Sequence, residues 1–482
     1  MLQIKTYPFS YLLIAVTIVN VLFLGEQATA QENITLQQAV ELTLKNNLQI
    51  KQAALSEALS EANLKEAKLS RLPTLNAGSN LNFNFGRNVD PFSYTFVNQE
   101  ITSSNGSINT SLPISQGFQR VNQISQIKYE LEADKSNTRK VQNDLALLVV
   151  TNYLQILNYR DILAAARQQL DLSALQLDIE QKQLNVGNRT VADLSQAKAQ
   201  VATAELNVTN AKNQLDLAYL SLAQLMERNP ADTFKVVQPA VDELTQTSMA
   251  YSAAEVFTKA VDNYPDIKLA QYRTLAALKA VDVAKGGLYP RLSFQGSMGS
   301  GYSSLTQRIR SRSVNGNSEI GFVEGTNQRV LVPNVTTSYE QTPFRDQINQ
   351  NFNQVIGFSL TIPVFNGYSS RMSLKRAKIS YQNAQLNEQI SRNNFNKTIY
   401  QAVTDLRAAE TRFNSAQTAY QSSLDAFNAI QQRYNIGLAN SLDFNQSQTN
   451  LNKSQFDVIQ ARYDLIFRSK VIDFYLGNPI TF

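Results

Sequence analysis

The chain has 482 residues, with 44 Lys plus Arg, 39 Asp plus Glu, and no Cys, His or Trp. Those absences exclude Ser-His-Asp and Cys-His nucleophile systems, zinc fingers, thiol redox chemistry and disulfides. The formal charge is only +5 and the basic residues are dispersed. That balance argues against nucleic acid as a partner, and no spaced acid pair sits in a cleft-like composition, so neither an enzyme nor a cofactor is expected.

Lys5 precedes an apolar run over 11–24, followed by Gly25 and the small-x-small sequence Ala28-Thr29-Ala30. Residues 1–30 read as a signal peptide cleaved before Gln31; the competing reading is an uncleaved anchor. Beyond residue 30 no run of 18 apolar residues occurs. A position in a membrane would then be reached as a β-barrel, whose strands satisfy one another's backbone groups.

Residues 31–228 read as a first repeat. Leu75, Ala77, Leu81, Phe83 and Phe85 alternate with Asn76, Gly78, Asn80, Asn82 and Asn84. Ile108, Leu112 and Ile114 alternate with Ser107, Asn109 and Ser111. This period of two predicts strands over about 74–86 and 105–115. One face of each is apolar and the other carries amides and small residues without charge, as in a transmembrane barrel that is apolar outside. A helical hairpin follows over 118–228. No Pro or Gly interrupts 118–184, and Leu194, Ala197, Val201, Ala204, Val208, Ala211, Leu215, Ala218, Leu222 and Leu225 recur at alternating spacings of 3 and 4. Ile156, Leu163, Leu170, Leu177 and Leu184 stand seven apart on the partner helix. Such seams predict coiled-coil packing of antiparallel neighbours.

A Pro-containing linker over 229–250 leads to a second repeat, 251–482. Strands are expected over about 291–302, from Leu292, Phe294 and Met298, and over about 354–365, from Ile356, Phe358, Leu360 and Ile362. A helical hairpin over 368–476 repeats the seam with Leu406, Phe413, Tyr420, Phe427 and Tyr434. The repeats align by order and spacing. Pro73 falls on Pro290 at an offset of 217, whereas Pro113 falls on Pro363 and Gly187 on Gly437 at an offset of 250. The difference locates an insertion of 33 residues within 303–353, rich in Ser, Asn and Gly and carrying Arg308, Arg310 and Arg312. It is expected as an extracellular segment whose arginines are either solvated or in contact with lipopolysaccharide phosphates.

Four strands cannot close a pore, since single-chain barrels begin at about 8 strands. Closure therefore needs several chains. Gly187 and Gly437 end the long helices and are expected to supply positive φ at tight helix-to-helix turns. Asp193 and Asp443 stand six residues beyond them, where a helix N-terminus favours a carboxylate. Ser441 is a candidate cap.

The stretch VGNRTVADLSQAKAQ from Val186, its partner IGLANSLDFNQSQTNL from Ile436, and the P-x-x-x-G strand ends at Pro113 and Pro363 resemble the TolC family of outer-membrane efflux proteins. The resemblance covers essentially the whole mature chain. It implies a mainly α fold with a small transmembrane β part. It also implies a homotrimer that forms a 12-stranded outer-membrane barrel, continued by a long periplasmic α-helical barrel, with 229–250 in an equatorial region. The implied function is the exit duct of efflux pumps or type I secretion systems. Such a duct sits in outer-membrane lipid and docks on a periplasmic adaptor and an inner-membrane transporter.

The resemblance also implies roles for residues. Val186, Gly187, Ile436, Gly437 and Leu438 would form tips that contact the adaptor. Tyr434 and Asp193 match a closing contact, while Ala439 stands where an arginine would complete an ionic latch. Of two acidic pore positions Asp443 keeps one, and Gln446 replaces the other. The rival to an exit duct is a non-transporting coiled-coil scaffold of the cell envelope, which explains the heptads but not the strands.

Overall fold

The computed structural model describes residues 32–89, 94–98, 100–230, 234–238 and 251–478. The expected signal peptide and most of the expected linker lie outside the described residues. The chain divides into two compact units. One comprises Glu57–Asp134 and Leu269–Gln389; the other holds Lys135–Lys268, the residues up to Ser56 and those from Ile390.

The first unit is built on a four-stranded antiparallel sheet: β2 (Thr74–Asn84), β5 (Ile101–Gln116), β7 (Arg291–Ser303) and β10 (Asn353–Thr361), in the order β10-β7-β5-β2. Each repeat contributes one edge strand and one inner strand, so the repeats meet where β5 pairs with β7. The register puts Ala77 opposite Ile108 and Ile108 opposite Met298. It also puts Phe294 opposite Phe358 and Leu292 opposite Leu360. One face is therefore apolar across all four strands, and Leu75 and Ile356 are each 74% exposed on it. The other face carries Asn76, Asn80, Asn105, Asn109, Ser297 and Gln295, as the alternation predicted. The β5–β7 register shifts between Pro113 and Ser115, where proline has no N–H to donate to the ladder.

The strands differ from expectation at their ends. β2 stops at Asn84 rather than 86, β5 begins already at Ile101, and β10 stops at Thr361, two residues before Pro363. The insertion is not an irregular loop. It forms a ribbon of β8 (Gln307–Phe322) and β9 (Arg329–Gln341), followed by a short helix, Phe344–Gln350. Three register shifts, at Ile309/Ser311, Val314/Asn317 and Glu319/Gly321, break its alternation and hide the strands from a period-two reading. A smaller ribbon pairs β3 (Arg87–Val89) with β4 (Phe96–Asn98).

The helices preceding the strand pairs are α1 (Leu36–Asn46) and α2 (Leu48–Leu69) in the first repeat, and α5 (Ala253–Ala260) and α6 (Pro265–Gly286) in the second. The hairpins are α3 (Gln119–Asn185) with α4 (Val191–Leu225), and α8 (Ser369–Asn435) with α9 (Ser441–Leu476); the short helix after β9 is α7. α3 and α8 have 67 residues each, about 100 Å at 1.5 Å per residue. Each starts one residue later than its Pro- and Gly-free run suggests, because Phe118 and Tyr368 adopt positive φ. No described helix is long and apolar enough to cross a membrane.

In the second unit the heptad seams are buried in part: Ile156, Leu163, Leu406, Phe427 and Tyr434 are buried, whereas Leu170, Leu177, Leu184, Phe413 and Tyr420 are half-buried. Ala197, Ala204, Ala211 and Ala218 recur every seven residues at 5% exposure or less, close to Leu194 and Leu222. Small side chains there let helices approach closely. β1 (Glu32–Ile34) pairs in parallel with β6 (Phe234–Val236), and the buried Tyr153 hydroxyl donates to the Val237 carbonyl at 2.7 Å. A separate core joins Val256 and Ile267 to Phe395 and Ile399, with Tyr264 stacked on Phe395 at 4.1 Å.

Candidate functional site at the helix-turn tips

The two hairpin turns share one backbone design. At the first, Gly187 N–H donates to Leu184 O at 3.0 Å and Asn188 N–H to Gln183 O at 2.9 Å. At the second, Gly437 N–H donates to Tyr434 O at 3.1 Å and Leu438 N–H to Arg433 O at 2.8 Å. Both glycines have φ of 80°. These bonds satisfy the last carbonyls of α3 and α8, and the left-handed conformation is the one a side chain disfavours. Val186, Ile436 and Leu438 are 69%, 71% and 66% exposed, so each turn presents bare apolar groups.

The return helices are capped differently. Thr190 caps α4 in a reciprocal box: its hydroxyl accepts from Asp193 N–H at 3.2 Å, and Asp193 accepts from Thr190 N–H at 3.0 Å. For α9 the cap is Asn440, whose side-chain oxygen accepts from Asp443 N–H at 2.7 Å. Ser441, the candidate cap, instead donates its hydroxyl to Asp193 Oδ1 at 2.5 Å. That bond, then those from Thr190, hold the Asp193 carboxyl below its ordinary pKa. Asp443 and Gln446 are both exposed, and Gln446 donates to Asn450 Oδ1 at 3.1 Å.

Tyr434 does not meet Asp193 through its hydroxyl. Its hydroxyl donates to Glu180 Oε1 at 2.5 Å. Asp193 is engaged by Thr190 and Ser441, whereas Glu180 projects from α3 into the seam that Tyr434 enters. Tyr434 is only 3% exposed, so it belongs to the core of the tip. One side of its ring stacks on Phe444 at 4.7 Å between centroids, and the Arg189 guanidinium carbon lies 4.1 Å from the ring centroid. Burial first, then the bond to Glu180, raise the Tyr434 pKa, so the hydroxyl remains a donor.

Glu180 and Arg189 are the residues the sequence reading missed. Glu180 is 2% exposed, and Gln176 Nε2 donates to its Oε1 at 2.6 Å. Its Oε2 has no hydrogen bond and lies 3.6 Å from Arg189 Nε. Charge attraction therefore acts on an oxygen that geometry leaves unbonded, while Arg189 also reaches Tyr434 O at 3.5 Å. The detectable signal was positional: Ala166, Ser173 and Glu180 stand seven apart, all buried, so a carboxylate occupies a seam position. Arg189 falls on Ala439 at the repeat offset of 250, so the arginine stands on the opposite turn from the expected latch position. The first tip is joined to the second by hydrogen bonds, Tyr434 to Glu180 and Ser441 to Asp193, and by Arg189 lying over the Tyr434 ring, while the Glu180–Arg189 ion pair lies within the first tip. Among the described residues no group of three or more His, Cys, Asp or Glu is placed to hold a metal.

Comparison with known proteins adds the family. The model of the outer membrane efflux protein family matches residues 39–227 and 256–478. Toxin and drug export protein A of Aggregatibacter actinomycetemcomitans is 22% identical over 443 residues, covering 89% of this chain and 83% of that protein. Outer membrane protein TolC of Escherichia coli strain K12 is 21% identical over 447 residues, covering 92% and 82%. Among solved structures, CusC superposes with a TM-score of 0.75 at 15% identity over 93% of both chains. VceC of Vibrio cholerae superposes with a TM-score of 0.72 at 17% identity, covering 92% of this chain and 96% of that one. With each half of the sequence matched in turn and the fold shared along nearly its full length, the chain belongs to the outer membrane efflux protein family.

Proposed function

We propose that three copies of this chain close one outer-membrane barrel and one periplasmic helical tube, coupled to a periplasmic adaptor and an inner-membrane transporter. As a family member the chain is an outer-membrane exit duct for efflux or secretion. The observation that carries the trimer is the open four-stranded sheet. It has an exposed apolar face and an uncharged polar face, and among the described residues each of its edges, β2 and β10, has a single neighbour. Three such sheets joined edge to edge give 12 strands, enough for a lumen lined by the amide face. The apolar tip residues Val186, Ile436 and Leu438 would meet the adaptor. Asp443 would face the lumen, one carboxylate per subunit, and concentrate cations at a constriction.

The test is reconstitution in a planar bilayer, with subunit number measured by light scattering. A trimer with defined conductance is expected, and Asp443→Asn should lower its cation selectivity. A stable monomer, or the absence of a defined channel, would favour a scaffold. Unchanged selectivity would return Asp443 to a helix-terminus charge.

A further inference from the structure

The insertion after β7 brings α7 back against the apolar face of the sheet. Gln347, fully buried, accepts from Ser303 N–H at 2.9 Å and donates to Thr342 O at 2.8 Å. Asn351 donates to Gly301 O at 2.7 Å, and the Ser300 hydroxyl donates to Ile348 O at 2.6 Å. Tyr302 and Phe344 add a ring contact at 5.4 Å. Four consecutive residues of β7, Ser300 to Ser303, thus hold this helix of 7 residues and its C-cap Asn351 against the strand.

What α7 creates is an open depression of about 590 Å³. Its walls are apolar: Ala77, Ile108 and Met298 from the sheet, Ile348 and Phe352 from the insertion. Its floor is low because Gly106 pairs between Ser79 and Ser300, and a Cβ built on Gly106 would meet nothing within 4 Å. Charge stands on the same short helix and the ribbon beside it. Arg308 pairs with Asp346 of α7 at 2.9 Å and with Glu340 at 2.7 Å. Arg310 lies 3.9 Å from the same Glu340 and is 72% exposed, and Arg345 precedes Asp346 on α7. Three guanidinium groups stand against two carboxylates: Arg345 lies on α7 three residues before Ile348, Arg308 is paired to Asp346 of α7, and Arg310 shares Glu340 with Arg308. An apolar trough walled by a helix that carries one arginine and is paired to the arginine cluster of the ribbon matches a molecule with hydrocarbon chains and an anionic phosphorylated head.

We propose that this depression is a binding site for a phosphorylated lipid of the outer leaflet, its acyl chain lying over Gly106 between Met298 and Phe352 and its phosphate near Arg310 and Arg345. The proposal rests on the outer-membrane reading above, because the apolar face must be the lipid-facing one.

The test uses the full chain in phosphatidylcholine nanodiscs doped with bisphosphorylated lipid A or with its dephosphorylated form. Bound lipid is counted by native mass spectrometry, and conductance is recorded on the same preparations. The unaltered protein should retain the phosphorylated form preferentially. Gly106→Leu places a side chain in the trough from a Cβ position that is open and should lower retention of both forms about tenfold. The double variant Arg310→Gln, Arg345→Gln should keep lipid but lose the preference. Equal retention by Gly106→Leu, or an unchanged preference in the arginine variant, overturns the site. A changed subunit number in Gly106→Leu would also overturn it, by making the trough a contact between copies. Conducting channels whose lipid content ignores all these changes count against this site alone. A chain that never inserts counts against the duct reading and takes this proposal with it.

Discussion

At the first strand-to-helix junction Gly117 and Phe118 have φ of 59° and 62°; at the second Gly367 and Tyr368 repeat the pair with 61° and 61°. The backbone is the same, yet the surroundings are not. A Cβ at Gly117 would lie 2.5 Å from the Gly286 carbonyl oxygen and 2.6 Å from Tyr289 Cβ, whereas at Gly367 it would meet nothing within 4 Å. The tips repeat this contrast. Both turns have the same glycine cap on the outgoing helix, but Glu180 and Arg189 of the first take the places of Ile430 and Ala439 in the second, and Tyr434 takes the place of Leu184. A duplicated chain keeps backbone geometry, which local hydrogen bonds specify. Its side chains are free to diverge, and here they have become complementary: one tip carries the charges and the other the ring between them.

Breaking the contrast at the junctions should produce the largest effect. Gly117→Ala combines a clash with backbone atoms and a side chain in the left-handed region, costing about 4 kcal/mol. Gly367→Ala carries only the conformational part, about 1 kcal/mol. Urea midpoints of the folded protein in detergent measure both, and equal shifts would remove the distinction between the junctions.

Next in size is Arg189→Ala. It leaves Glu180 buried with no cation beside it, a change that destabilises by about 3 kcal/mol where the pair is buried. The loss should be confined to the tips, so hydrogen exchange should quicken at 184–190 and 434–440 while the amides of β5 and β7 stay protected. Restoring the charge from the other turn, with Ala439→Arg in the same chain, should not rescue it, because the side chain would start from the wrong helix end.

Tyr434→Phe keeps the stacking on Phe444 and removes one hydrogen bond to a carboxylate, worth about 2 kcal/mol. The tether between tips should weaken, and single-channel recordings should show a larger open fraction with trimer stability unchanged. An unaltered open fraction would leave Tyr434 as core packing.

The smallest effect concerns pH. Asp193 has its pKa lowered in the folded tip, chiefly by the Ser441 hydroxyl. Its contribution is therefore present above the unfolded value of 3.8 and is lost as pH falls through the lower folded value. Protection of the tip amides, taken relative to their intrinsic exchange rates and followed downward from pH 5, should fall below about pH 4. Asp193→Asn should flatten that part of the profile and leave neutral behaviour nearly intact.

Much of this molecule was legible in the amino-acid order, because the relevant forces act locally. Alternation of Leu75, Ala77 and Leu81 with amides specifies a strand with one apolar face. A 67-residue run without Pro or Gly specifies a long helix, and Gly187 and Gly437 specify where it turns back. The duplication itself was visible as constant offsets. Three things were decided only by tertiary structure. The β5–β7 pairing joins Ile108 to Met298, far apart in the chain. The ribbon and α7 emerge from a segment whose register shifts scramble any period. The tip cluster unites Glu180 and Tyr434, 254 positions apart. No short-range pattern specifies such contacts. A seam position tells a side chain to point inward, but which polar group waits there depends on how distant helices meet, and Tyr434 met Glu180 because the nearer-looking Asp193 was already held by its own helix cap.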